Sequence, residues 1–167
     1  MARPRRPATA AAAPGGFTLV ELVLVAAIVA AGAAVAVPRY GRSLAHARLD
    51  AAAGQVAARL NFAREAAAAA STPVAVGFEP ATGRVTLSGL PASFGTGPDA
   101  AAGVGPLLLG EEPFGVRLVS ASFAGPEGPA FDASGRPDAG GAVTLGLGGL
   151  RREVTLEAAT GRVRWSR

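Results

Sequence analysis

The chain has 167 residues, half of them hydrophobic, with no cysteine and a single histidine, His46. These counts exclude a disulfide framework, thiolate chemistry and a histidine-rich metal cluster. The formal net charge is +4, but three of the 16 basic residues lie in the first sixteen positions, which leaves 13 arginines against 12 acids. Without a bulk positive charge, binding to nucleic acid requires a local patch of arginines.

The first predicted element is an apolar helix over residues 17–37, in which Glu21 is the only charged residue. A run of this length spans about 30 Å of hydrocarbon. A carboxylate near its start costs roughly 2.5–3.5 kcal/mol, so it needs a partner. Cutting the chain after Gly16 creates such a partner, because the new ammonium of Phe17 then lies one helical turn from Glu21, or beside the Glu21 of a neighbouring subunit.

Residues 16–21 read Gly-Phe-Thr-Leu-Val-Glu, which resembles the cleavage and methylation motif of type IV prepilins and type II secretion pseudopilins. The resemblance implies that a prepilin peptidase cuts between Gly16 and Phe17 and that Phe17 becomes N-methylated. It also implies that Glu21 helps to align subunits in a filament. These three residues are therefore the predicted processing and assembly site.

The same resemblance implies how the chain is divided. Residues 1–16 are expected to be a leader peptide in the bacterial cytoplasm, and residues 17–37 a single transmembrane helix in contact with inner-membrane lipid. Residues 38–72 and 73–167 are expected in the periplasm, as an amphipathic helix and a β-rich head domain. Counting arginines does not decide this orientation, because three beyond the apolar run balance the three in the leader.

Two other kinds of leader remain open at this point. Arginines before the apolar run, and Ala34-Val35-Ala36 before Val37, match the regions of a secretory signal peptide. However, a signal core usually has about 7–15 apolar residues and carries no acid. Gly15 and Gly16 also resemble a double-glycine leader, but those leaders precede small secreted peptides.

A second helical segment is predicted to follow Pro38, which should bend or interrupt the helix, and to continue to about Ala70. Apolar residues recur on one face at steps of three and four: Leu49, Ala52, Val56, Leu60 and Ala63. The sequence Ser71-Thr72-Pro73 should end the helix, because proline disfavours helical geometry at the residue before it. Such a helix is not stable alone in water, so the head must cover its apolar face.

After residue 73 the apolar period changes to two, which indicates β-strands. The first two strands, 74–78 and 84–88, should form a hairpin, followed by a glycine- and proline-rich loop over residues 89–105. Further strands are expected at residues 107–109, 115–123, 142–147, 152–157 and 162–165. One long helix followed by many short strands predicts an α+β, pilin-like fold with antiparallel sheets.

No catalytic motif, cofactor or metal is predicted. The chain lacks a phosphate-binding loop with lysine, a His-Glu-x-x-His pair and a Gly-x-Ser-x-Gly elbow. The acids of the C-terminal half lack the clustered spacing of a calcium loop. We expect His46 to be a solvated surface residue and the protein not to be an enzyme.

The C-terminal half resembles the GspH/FimT-like group of minor pseudopilins. The resemblance rests on the turn at residues 131–137, Phe-Asp-Ala-Ser-Gly-Arg-Pro, and on a hairpin ending Thr-Gly-Arg-Val at residues 160–163. It implies a minor subunit of a type II secretion pseudopilus that helps to export proteins across the outer membrane. Its implied partners are the other pseudopilins, major and minor.

The last strand allows two interpretations. Residues 161–164, Gly-Arg-Val-Arg, resemble a motif of FimT-type minor pilins of the type IV pilus, in which the equivalents of Arg162 and Arg164 are implicated in DNA capture during natural transformation. Alternatively, these arginines only meet acids across a hairpin. That register pairs Arg162 with Glu157, Arg164 with Thr155, and Ser166 with Glu153. It also places Val154, Leu156, Val163 and Trp165 on one apolar face that would seal the core.

Overall fold

The computed structural model describes residues 16–90, 104–125 and 128–166, with the side chains of residues 35–39 outside the description. Predictions for residues 1–15, and for most of the loop at 89–105, therefore lie outside the described residues. The chain divides into two units, Met1–Tyr40 and Gly41–Arg167. One helix, α1, extends over Leu19–Ala70 and belongs to both.

Helix α1 is assigned without a break at Pro38. Of the two outcomes predicted there, a bend or an interruption, the interruption is wrong. A proline inside a helix removes one backbone hydrogen bond, yet the chain on both sides of Pro38 remains helical.

The C-terminal end of α1 is where the sequence predicts it. Ser71 takes a left-handed conformation with φ of 50°. Its N–H donates to the carbonyl of Ala68, and the N–H of Thr72 donates to that of Ala67. This pair of bonds is a Schellman motif, which satisfies carbonyls that a helix end otherwise leaves free.

Eight strands follow in the described residues, and they confirm the predicted α+β class with antiparallel sheets. In chain order the strands are β1 Val74–Glu79, β2 Arg84–Ser88, β3 Leu107–Leu108, β4 Arg117–Phe123, β5 Ala130–Phe131, β6 Gly141–Leu147, β7 Leu150–Leu156 and β8 Val163–Ser166. The first sheet has the order β3-β2-β1-β5, and the second has the order β4-β6-β7-β8. Strand β5 was not predicted, because two residues are too short for an alternating pattern to register.

The core of the second unit joins the helix to both sheets. All five residues of the predicted apolar helix face are fully buried. They share one cluster with alternate residues of the strands, among them Val76 and Val85 of the first sheet and Val143 and Val154 of the second. The head therefore covers the helix, as its amphipathic pattern requires.

The turn at residues 131–137 is closed by Asp132 and docks on the helix. One carboxylate oxygen of Asp132 accepts from the Ser134 N–H at 2.8 Å, the Ser134 hydroxyl at 2.7 Å and the Arg136 N–H at 2.9 Å. Gly135 has a φ of 75° and lies so close to α1 that an added Cβ would be 2.9 Å from the Arg64 carbonyl oxygen. The turn thus needs glycine for both conformation and space.

Candidate assembly site and arginine-bearing sheet face

Thr18 caps the N-terminus of α1. Its hydroxyl accepts from the N–H of Glu21 at 3.2 Å, and its carbonyl accepts from the N–H of Leu22 at 3.1 Å. A threonine followed three residues later by glutamate is a capping-box pattern, and this spacing is the sequence signal for the cap. Glu21 lies in the first turn, where a negative charge is favoured by the helix dipole. Gly16 and Phe17 precede the cap in irregular conformation.

The apolar residues around this end of the helix are bare. Phe17 is 81% exposed, and the large apolar side chains from Leu19 to Val29 are each more than half exposed. A helix that is apolar on every side normally lies in an apolar environment. Within the part of the chain that the structure describes, no helix is both long and apolar enough to cross a membrane. The predicted span also includes residues 35–37, whose side chains lie outside the described set.

The predicted register of the C-terminal hairpin is confirmed. Thr155 pairs with Arg164 and Glu153 pairs with Ser166. The N–H of Glu157 donates to the carbonyl of Arg162 at 3.0 Å. The residues of these two strands therefore face each other as the sequence predicts.

The ion pairing expected from that register is absent from the described residues. The Glu157 carboxylate accepts instead from the hydroxyl of Thr160, at 2.6 Å. Among residues 16–90, 104–125 and 128–166, the one ion pair joins Arg152 to Asp50. Arg162 and Arg164 are exposed, with their guanidinium groups unpaired within those residues. The prediction that Arg162 pairs with Glu157 was wrong, because the Glu157 carboxylate forms its hydrogen bond with a hydroxyl of its own turn.

A repeated turn accounts for this arrangement. Residues 79–84 read Glu-Pro-Ala-Thr-Gly-Arg and residues 157–162 read Glu-Ala-Ala-Thr-Gly-Arg. In both turns the threonine hydroxyl donates to the glutamate carboxylate at 2.6 Å, and the glycine N–H donates to the glutamate carbonyl. Gly83 and Gly161 have φ of 66° and 65°. The repeated sequence was the signal that could have predicted these hydrogen bonds. It shows that Gly161 and Arg162 belong to a recurring turn, whereas Arg164 lies beyond that turn.

Trp165 does not seal the core as predicted, because 39% of it is exposed. Strand β8 is the last strand of its sheet, so nothing within that sheet covers its outer edge. Val154 and Leu156 are buried and Val163 is half-buried. The predicted burial of this apolar face is therefore confirmed for β7, whereas on the edge strand β8 the face is only partly buried.

One cluster links the second sheet to the helix. The Arg152 Nε donates to Asp50 at 2.6 Å, and its Nη2 lies 3.4 Å from the Nδ1 of His46. His46 is exposed, as expected. In the described ranges, no three His, Cys, Asp or Glu side chains come close enough together to hold a metal ion.

A half-buried arginine, Arg59, holds the end of the loop before β3. Arg59 Nη1 donates to the carbonyl of Gly105 at 2.7 Å. Burial lowers the pKa of Arg59, because removing a charge from water disfavours it. This contact is structural, since it connects the helix to the loop.

Comparison with known proteins identifies the head. A sequence model of the family described as type II transport protein GspH matches residues 52–161. The minor pseudopilin EpsH from the type 2 secretion system of Vibrio cholerae has a similar structure, with a TM-score of 0.54 and 19% sequence identity. The similarity covers 71% of this chain and 96% of that one, and it establishes a pilin-like fold. No curated protein sequence matches significantly. The family match includes neither Glu21 nor Arg164.

Proposed function

Because the chain belongs to the GspH family of type II transport proteins, we propose that it is a membrane-anchored minor pseudopilin of the type II secretion system. It acts by assembly, as a subunit of the periplasmic pseudopilus that helps to export proteins across the outer membrane. The observation that carries this proposal is the bare apolar helix around Glu21, joined in one chain to a head with a closed core.

The proposed assembly begins with processing. A prepilin peptidase removes residues 1–16, and Phe17 becomes the N-methylated terminus. The apolar segment at residues 17–37 holds the subunit in the inner membrane while the head lies in the periplasm. During packing with other pseudopilins, Glu21 neutralises the new ammonium of its own chain or of a neighbour. The cap on the first turn supports this role, because the hydrogen bond from the Glu21 N–H to Thr18 holds Glu21 in the first turn of the helix.

The processing step is tested by intact mass and N-terminal sequencing of the mature chain. We expect it to begin with N-methyl-Phe17. A Gly16→Ala variant should be processed slowly or not at all and should still fractionate with the membrane, because the anchor is unchanged. A mature chain beginning at Val37 would instead identify a secretory signal peptide.

The assembly role of Glu21 is tested by crosslinking to other pilin-like subunits. Glu21→Ala should leave membrane insertion intact or slightly improved, since the acid costs roughly 2.5–3.5 kcal/mol there. It should nevertheless reduce crosslinking, because an ammonium is left unpaired in a poorly solvated interface. Glu65→Ala is the matched control, since Glu65 is an exposed acid on the same helix within the head unit. Equal crosslinking and secretion in both variants would show that Glu21 has no assembly role.

A second candidate function is DNA binding during natural transformation by a type IV pilus minor pilin. The observation that favours it is the exposure of Arg162 and Arg164 without a carboxylate partner in the described residues. A site of this kind would show affinity that falls steeply with salt, and an Arg162→Ala/Arg164→Ala variant would flatten that slope by roughly two units. Arg84, the equivalent of Arg162 in the repeated turn, provides the control.

If the protein is a pseudopilin, we expect it to bind duplex DNA weakly, and neither the Arg162/Arg164 double variant nor Arg84→Ala should change that binding. Micromolar binding at physiological salt that disappears in the Arg162/Arg164 double variant and survives Arg84→Ala would favour the DNA-uptake function instead.

A further inference from the structure

The second sheet has a cavity of about 250 Å³ at the end where β4, β6 and β7 meet. Arg117 and Arg151 line it, together with Val119, Gly146 and the hairpin that joins β6 to β7. The proposed filament role makes no use of this place. We name it the Arg117–Arg151 cleft.

The strand register explains why the two arginines flank an open space. Arg117 pairs with Gly146 across β4 and β6, and Gly146 pairs with Arg151 across β6 and β7. Residues paired across neighbouring strands point to the same face of a sheet. Glycine has no side chain, so the middle position forms a floor between two long cationic side chains about two strand spacings, or roughly 10 Å, apart.

A β-bulge adds an apolar wall. The register between β4 and β6 shifts between Leu118 and Ser120, so Val119 has no partner of its own. Val119 is 40% exposed, and an added Cβ at Gly146 would be 2.9 Å from its Cγ2. Bulges often redirect a side chain beside a functional site. Here the bulge holds an exposed valine over the glycine floor.

The two arginines of the cleft have no charged partner among the described residues. Both arginines are exposed, and neither guanidinium has a hydrogen bond or an ion pair in the described part of the chain. Glu153, two residues along β7 from Arg151 and exposed like it, is likewise unpaired there. The cleft therefore combines two free arginines with an apolar wall.

We propose that the Arg117–Arg151 cleft binds a carboxylate side chain carried by an apolar-flanked, acidic segment of a partner protein. The planar guanidinium group matches a carboxylate in two-pronged hydrogen bonds. Val119 and the half-buried Leu147 and Leu150 contact the aliphatic parts of the same segment. The volume is smaller than the roughly 300–1,000 Å³ of small-molecule sites, and it fits one inserted side chain.

Nucleic acid is the less suitable occupant. Proteins that bind duplex DNA tightly neutralise several phosphates along a track, whereas this cleft has two arginines and a nearby acid. Binding at this cleft is independent of the proposed filament role, because the head can bind an acidic partner whether or not the helix around Glu21 assembles into a filament. The test therefore uses binding in solution and needs no filament.

The full chain in nanodiscs of zwitterionic lipid is titrated into a short fluorescein-labelled peptide of alternating valine and glutamate, and anisotropy is measured. We expect saturable binding that an Arg117→Gln/Arg151→Gln variant weakens at least about tenfold, because each arginine supplies a charge-assisted hydrogen bond. The matched control is Arg84→Gln/Arg136→Gln, which removes the same charge from two exposed positions elsewhere on the head. It should bind like the wild type, and circular dichroism verifies that both variants fold.

Four outcomes would overturn the inference. Equal loss in both double variants would mean that only net charge matters. Equal binding of the corresponding valine–glutamine peptide, or no saturable binding of the glutamate peptide, would mean that the cleft does not recognise a carboxylate. Displacement of the peptide by duplex DNA, with DNA binding itself abolished by Arg117→Gln/Arg151→Gln, would assign the cleft to nucleic acid.

Discussion

The two halves of helix α1 both carry many large apolar residues, yet these residues differ completely in what surrounds them. Leu49, Val56 and Leu60 in the head unit are fully buried, whereas Leu19 and Leu24 in the first unit are 78% and 59% exposed. The apolar residues of the head half form one face, and two sheets of the same chain cover it. Those of the first half cover the whole circumference of the helix, and no other element of its own unit is described beside them.

This difference separates two ways in which a sequence uses apolar surface. A one-sided apolar stripe is satisfied by folding within one chain. An apolar surface on every side has to be satisfied by something outside the unit, which under our proposal is the membrane and then the neighbouring subunits. Stability and function should consequently depend on different halves of the helix.

The sharpest test compares two leucine truncations. Leu60→Ala should lower the free energy of unfolding by about 2–5 kcal/mol, because it leaves a cavity in the core. Leu24→Ala should change it by less than about 0.5 kcal/mol, since that side chain packs on nothing within its unit. Urea denaturation of the full chain in micelles, followed by fluorescence of the single tryptophan, Trp165, measures both. Equal losses would mean that the two halves share one core.

The contact between the turn at residues 131–137 and helix α1 is tested by comparing two glycine substitutions. Gly135→Ala and Gly148→Ala both introduce a side chain at positive φ, which costs roughly 1–2 kcal/mol. Only at Gly135 does the new Cβ meet the helix backbone, whereas it meets open space at Gly148. We expect Gly135→Ala to cost a further 1–3 kcal/mol or so through overpacking. Thermal unfolding of the two variants gives this difference, and equal melting temperatures would contradict it.

The link between Arg152 and Asp50 should stabilise only the head half. Arg152→Ala is expected to cost about 1.5–3 kcal/mol, because it removes a half-buried charged hydrogen bond. Glu153→Ala is the control, since Glu153 is the exposed neighbour on β7 and has no ion pair in the described residues. Denaturant midpoints of the two variants measure the effect. A loss as large for Glu153→Ala would point to the strand and not to the link.

The smallest effect concerns the turn that docks on the helix. The hydroxyl of Ser134 and the N–H groups of Arg136 and Ser134 lower the pKa of Asp132. A carboxyl whose folded pKa is depressed contributes stability above its unfolded value of about 3.9, and that contribution is lost as the pH falls through the folded value. The stability difference between wild type and Asp132→Asn should therefore be constant from neutral pH to about pH 4 and shrink below it.

A second measurement checks the cause. Removing the largest contributor with Ser134→Ala should raise the pKa of Asp132 toward its ordinary value, which NMR titration of the carboxyl carbon detects. An unchanged pKa would mean that the backbone groups alone hold the carboxylate.

Several features followed from local rules and were predictable. The buried face of the helix follows from a period of 3.6 residues, and the strands follow from a period of two. The pairing of Thr155 with Arg164 follows once the turn length is known. The predicted N-terminal motif also rests on local order, because its glycine, phenylalanine and glutamate lie at set offsets from one apolar run.

Other features required groups distant in sequence to meet, so no local pattern contained them. Arg152 reaches Asp50 across 102 positions, and Arg64 donates to the carbonyl of Gly161 across 97. The cleft between Arg117 and Arg151 exists because three strands align on Gly146 and one of them bulges. The sequence by itself determined which surfaces are apolar and how the strands of the first and last hairpins pair. Only the tertiary structure decided which charges find partners, because pairing depends on distances that the packing of sheets on helix sets.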